Sequence, residues 1–161
     1  MTSEGQDKAG RPRSPLETAV REQMTAAMKA GDKVRLGALR LLVAAITNRE
    51  KELRRLLTDD EIREVAGKEV KKRSESIEAF DAAGRAELAD RERAEREVLR
   101  DYAPEQLDDA AIDALVDGAI ATTGATSMKE MGKVMGQVMA GAKGRVDGAE
   151  VQRRVRERLG A

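Results

Sequence analysis

Residues 127–148 read SMKEMGKVMGQVMAGAKGRVDG, and the rest of the chain is best understood outward from them. Met128, Met131, Met135 and Val138 recur at the 3-4-3 spacing of one helical face. Gly132, Gly136 and Ala140 recur every fourth residue on a neighbouring face. The spacing predicts a helix that buries its methionine side and runs into a glycine-rich turn. Glycine inside a helix costs about 1 kcal/mol relative to alanine, so two at this spacing imply close approach of something to the bare backbone. Another helix is the commoner occupant of such a face.

The same punctuation recurs on both sides. Downstream, Asp147 is placed to cap a last helix carrying Val151, Val155 and Leu159 on one face. Upstream, Ser127-Met128-Lys129-Glu130 forms a Ser/Thr-x-x-Glu capping box, and Asp108 caps a helix with Ile112, Leu115, Val116 and Ile120 that stops at Gly124. These are the three short elements of a C-terminal three-helix bundle. Before them, Tyr102-Ala103-Pro104-Glu105 breaks the helical pattern, because proline disfavours helix in the residue that precedes it. A domain boundary is expected there.

Four helices are expected on the N-terminal side. Residues 85–100 are charge-rich, with Leu88, Val98 and Leu99 as apolar contacts. A second box, Thr58-Asp59-Asp60-Glu61, opens a helix through Ile62, Val65, Ala66, Val70, Ile77 and Phe80 to a stop at Gly84. Over residues 33–57, Leu36, Leu39, Val43, Ile46, Leu53 and Leu57 keep a 3-4 spacing interrupted only at Glu50. Ser14-Pro15-Leu16-Glu17 starts a helix to about Ala30; Gly31 closes it and Asp32 caps the next. No stretch alternates with period two for long enough to form a strand. The expectation is an all-α chain: a disordered tail over residues 1–13, an N-terminal antiparallel helical domain of about four helices over 14–103, and a small C-terminal three-helix bundle over 104–161.

Composition agrees and narrows the chemistry. Among 161 residues there are one Phe, one Tyr and no Trp, so Leu, Val, Ile, Met and Ala must pack in thin layers between helices. Without cysteine there is no disulfide, thiolate nucleophile or thiolate-ligated metal; without histidine the commonest general base and zinc ligand are missing. The polar N-terminus does not resemble a signal peptide, and no apolar run reaches the ~18 residues of a spanning helix, which points to a cytoplasmic protein.

Thirty basic and thirty acidic residues cancel, yet they are segregated. Residues 21–55 carry nine basic and four acidic side chains, residues 81–118 five and twelve, residues 125–161 eight and four. Two basic zones flank an acidic one. Solvated helix faces that happen to differ are one reading, and a polyanion-binding surface opposite a repelling one is the other.

Catalysis has no seat. Ser14 and Ser127 stand at helix starts, Ser3 in the tail, and Ser74 and Ser76 on a charged face, with no histidine to activate any of them. A GxxxxGK phosphate loop is absent. Asp59-Asp60-Glu61 and Asp108-Asp109 occupy first-turn positions where acids complement the helix dipole, so no metal or other cofactor is expected. Binding has better residues. On a helical wheel Lys129 and Lys133 fall beside Gly132 and Gly136, away from the methionines, and like charges four apart repel unless an anion sits between them. Lys143 and Arg145 surround Gly144 in a turn whose amides suit phosphate, although the Asp147 carboxylate competes for those amides. Lys33, Arg40 and Arg54, seven and fourteen residues apart, extend the basic stripe on the second helix.

LRDYAPEQL at 99–107, GATSMKEMGKVMG at 124–136, GRVDG at 144–148, MKAGDKVRLGALRLL at 28–42 and KEVKKRSESIEAF at 68–80 together resemble the YqeY-like proteins. That family is related to the tail domain of the B subunit of the glutamine-dependent aspartyl/glutamyl-tRNA amidotransferase. The resemblance spans roughly residues 16–159. It implies an all-helical protein with a larger N-terminal part, a small C-terminal bundle and a link to tRNA. It also implies association with carbon–nitrogen ligase activity using glutamine as amide donor, although the amidase site and the ATP cradle belong to parts of that enzyme this chain lacks. The expected function is therefore a non-catalytic, tRNA-associated module that contacts RNA backbone through Lys129, Lys133, Lys143 and Arg145, with Lys33, Arg40 and Arg54 in support. Two alternatives stay open: a protein-interaction module whose Gly132 and Gly136 face docks a partner helix, such as one of an amidotransferase subunit, and an accessory component of the ligase itself.

Overall fold

The structure is a computed structural model that describes residues 12–160. The expected disordered tail therefore lies, apart from its last two residues, outside the described residues. The described chain is all-helical, with seven α-helices: α1 (Pro15–Ala30), α2 (Lys33–Leu53), α3 (Asp59–Ala82), α4 (Ala86–Arg100), α5 (Asp109–Thr123), α6 (Met131–Ala142) and α7 (Gly148–Leu159). It divides into two compact units between Pro104 and Glu105.

In the first unit α3 packs chiefly on α4, while α2 packs on α1, α4 and α3. Leu39, Leu42 and Ile46 of α2 are fully buried with Val20 of α1, Ile62 of α3 and Leu99 of α4. Each such aliphatic contributes about 1.5–3 kcal/mol by leaving water. In the second unit each of α5, α6 and α7 packs on the other two. Its core is Ile112, Val116, Val134, Val138, Val151 and Val155, a valine-rich and thin layer as the lack of aromatics requires.

Local chemistry sets the helix ends. Ser14 Oγ accepts the Glu17 amide, Asp32 the Arg35 amide, Thr58 Oγ1 the Glu61 amide and Asp108 the Ala111 amide. Gly31 ends α1 at φ 69°, a left-handed conformation that costs glycine nothing.

Four expectations need correction. The capping boxes at Ser14 and Thr58 are only half made, because their glutamates point elsewhere: Glu17 is buried and paired with arginines, and Glu61 pairs with Arg55 at 3.0 Å. The α1 start is completed from another helix, where Asp59 accepts the Leu16 amide at 3.0 Å. The second helix stops at Leu53 rather than near Leu57, with Arg54 left-handed at φ 57°. Leu57 is still buried, but from the connection. On α6 the buried stripe is Val134, Val138 and Ala142, not the methionines; Met131 and Met135 are half-buried on its flank and Met128 is exposed.

Candidate nucleic-acid interface

The region around α6 is set by its two ends. At the start, the Glu130 side chain turns back and accepts the Thr126 and Ser127 amides at 2.6 and 3.2 Å. Those two amides hold its carboxyl below the ordinary value of 4.5, with Lys133 adding a smaller pull. Met128 to Glu130 form one 3₁₀ turn leading into α6. At the far end Lys143 is left-handed at φ 51° and Gly144 follows at φ 77°, so the chain reverses over two residues.

The outward face of α6 carries Gly132, Lys133, Gly136, Gln137 and Ala140, all exposed. A Cβ added at Gly132 or at Gly136 would meet nothing within 4 Å. Packing of another helix within the chain therefore does not explain these glycines; the expected intramolecular neighbour is absent from the described residues. The glycines that do face neighbours are Gly141, 3.4 Å from a Leu115 methyl, and Gly148, 3.9 Å from the end of Met139. Gly144 is equally open, and its left-handed backbone rather than close approach accounts for it.

Lys129, Lys133 and Lys143 are exposed, and among the described residues none of the three forms an ion pair. Arg145 is exposed but partly committed: its Nε donates to the Glu105 carbonyl at 2.9 Å, and its own carbonyl accepts the Leu107 amide at 2.8 Å. Both acceptors and donors there are neutral, so the guanidinium charge stays uncompensated. Asp147 does cap α7, accepting the Ala149 amide at 3.0 Å, and so occupies an amide that phosphate would otherwise use. The four cations form two groups at opposite ends of α6, whose 12 residues extend about 18 Å. Lys33, Arg40 and Arg54 belong to the first unit. Lys33 and Arg40 are exposed on α2, and Arg54 stands past its end, off the expected stripe.

Of the other four cations of the C-terminal basic zone three are paired, while Arg156 is exposed on α7 with no ion pair among the described residues. Arg154 is buried and bonded to Asp113 at 2.5 Å, Asp109 at 2.6 Å and Glu150 at 3.0 Å, while Arg158 pairs with Asp113 and Asp117. Arg153 takes Glu150 and Glu157. The arginine hydrogen bonds hold the Asp113 carboxyl below its ordinary 3.8. Charge that looked segregated along the chain is thus largely neutralised across the α5–α7 contact, and what remains free is the four cations around α6 together with Arg156 on α7. No group of carboxylates able to hold a metal ion occurs among the described residues, and no helix there is long and apolar enough to cross a membrane. Tyr102 is buried and Phe80 half-buried, so neither offers an open ring for base stacking.

One constellation escaped the sequence reading. Glu17 and Glu50 meet between α1 and α2, with Arg13 and Arg21 on Glu17. The signal was present: Glu50 is the one charged residue interrupting the apolar spacing of α2.

The chain is 30% identical over 90 residues to an uncharacterized protein of Schizosaccharomyces pombe, covering 56% of this chain and 73% of that one. It is 34% identical over 79 residues to Altered inheritance of mitochondria protein 41, mitochondrial, of Pyrenophora tritici-repentis, covering 49% of this chain and 44% of that one. The sequence profile described as Yqey-like protein matches residues 17–159, nearly the whole described chain, and the protein belongs to that family.

Proposed function

We propose that the protein is a non-catalytic, tRNA-associated binding module that holds RNA backbone on the outward face of α6. Lys129 and Lys133 contact phosphates where Gly132 and Gly136 let the backbone come close, and Lys143 with Arg145 contact the strand at the far end of the helix. Lys33, Arg40 and Arg54 add phosphate contacts from the first unit. The observation that carries this reading is the pairing of two open helical glycines with unpaired lysines, a face with both the access and the charge an extended polyanion needs. The link to tRNA comes from the resemblance to the amidotransferase tail domain. Without an open aromatic, recognition rests on backbone and shape, so affinity depends on salt more than on sequence.

Filter binding of labelled tRNA to wild type and to Lys129→Glu/Lys133→Glu tests it. The double variant reverses two charges at exposed, unpaired positions, so it should fold normally and lose at least tenfold in affinity. Equal affinity for both proteins, or wild-type binding no tighter than that of an acidic control protein, overturns it.

The bare glycine face also favours a second reading, docking of a partner helix such as one from an amidotransferase subunit, since small residues let helices approach. Gly132→Leu separates the two. Loss of a defined protein complex with salt-sensitive tRNA binding unchanged would select the protein partner.

A further inference from the structure

We propose that Glu17 and Glu50 share a single proton across the α1–α2 contact, and that this pair is a pH-sensitive latch on the first unit. Glu17 is fully buried. One of its oxygens is taken by Arg21 at 3.2 Å and Arg13 at 3.3 Å; the other is buried and finds no donor. Glu50 likewise has a buried oxygen with no donor, and the Glu17 carboxyl lies close enough to bond to it through a proton. Two carboxylates cannot bond to each other without a proton between them. Both guanidinium groups sit on Glu17 and none on Glu50, so the proton belongs to Glu50.

The neighbours leave nothing else to neutralise the pair. Glu17, Arg21 and Arg13 bear on Glu50 from the α1 side. From α3, Asp59 is occupied by the Leu16 amide and Glu61 by Arg55. Most charges of α4 are engaged with one another or with α3: Arg100 with Glu97, Arg93 with Asp90 and Asp81, and Glu92 and Glu95 with Arg73, while Glu87 and Arg91 are exposed. Burial, then the Glu17 hydrogen bond and charge, raise the Glu50 carboxyl from 4.5 to about 7. A raised carboxyl favours the folded state fully below its ordinary value, and the benefit is lost as pH rises through about 7. Above that, two negative charges face each other and α1 loosens from α2.

The chain supplies its own reporter. Tyr102 is its one tyrosine, there is no tryptophan, and Tyr102 is buried in the first unit. Tyrosine fluorescence during urea unfolding of the full chain therefore reads that unit alone. Between pH 5.5 and pH 8.5 the wild-type folding constant should fall about tenfold, a partial share of the full linkage because Glu50 is only half-buried. Glu50→Gln, which mimics the protonated form, should abolish most of that fall. A wild-type constant equal at both pH values, or a variant that loses as much as wild type, overturns the proposal. Should the variant fail to fold, carbon-13 NMR of the wild-type side-chain carboxyls decides: one glutamate titrating near pH 7 is expected, and all of them titrating at ordinary values contradicts it.

Discussion

At the scale of single residues, the open glycines of α6 separate stability from function. Nothing occupies the space beside Gly132 or Gly136, and both are helical. Replacing either by alanine therefore removes a helix penalty without a clash and should stabilise the second unit by about 0.5–1 kcal/mol, measured by chemical denaturation. The same substitutions should weaken tRNA binding if the backbone is where the ligand sits. Destabilisation by either would show that the face is constrained in a way the open space does not reveal. Leu42 is the opposite case: fully enclosed among α1, α2, α3 and α4, its truncation to alanine should cost about 2–5 kcal/mol, read by Tyr102 fluorescence in urea. The lysines were legible as candidates because their spacing alone set them on the glycine side. Of the buried stripe only Val138 was legible, because Met and Val both pass as core by spacing, and three-dimensional packing puts Val134 inside with it and leaves Met128 out.

At the scale of helices, side chains that looked like caps became ties between elements. Glu17 and Glu61 satisfy the Ser/Thr-x-x-Glu pattern, yet both gain more from arginines than from an N-terminal amide, since a charge-assisted pair is stronger than a neutral hydrogen bond. The pattern locates the helix start and is silent on that competition. The α5–α7 ladder was readable in principle: Asp109, Asp113 and Asp117 recur every fourth residue, and so do Glu150, Arg154 and Arg158. What could not be read was that these two stripes face each other. Their pairing has a consequence opposite in sign to that of Glu50. Asp113 and Glu150 are held low by arginine hydrogen bonds, so the stability they confer is present at neutral pH and is lost as pH falls through their lowered values. The second unit should therefore weaken only below about pH 4, whereas the first weakens as pH rises from the ordinary carboxyl value through about 7. Hydrogen exchange of α7 and α1 peptides across pH checks this; α7 protection already falling between pH 7 and 5 would contradict it.

At the scale of the whole molecule, the helical type and number of the described elements follow from capping residues, glycine stops and 3.6-residue spacing, and the expected break from Pro104, all local signals. Charge was harder, because a stretch of sequence does not say which of its arginines another helix will neutralise. Once Arg153, Arg154 and Arg158 are paired, the C-terminal basic zone shrinks to Arg156 on α7 and four free cations around α6. That is where the proposed binding function is concentrated, and it makes a quantitative demand. Each phosphate contact contributes roughly 0.7–0.9 to the slope of log affinity against log salt. The most direct measurement is therefore that slope for tRNA binding by wild type and by Lys129→Ala/Lys133→Ala, over 50 to 200 mM salt. Wild type should bind with a steep negative slope, and the double variant should bind more weakly with a slope shallower by about 1.5. Identical slopes, or no salt-dependent binding by wild type, would contradict α6 as the RNA-binding face.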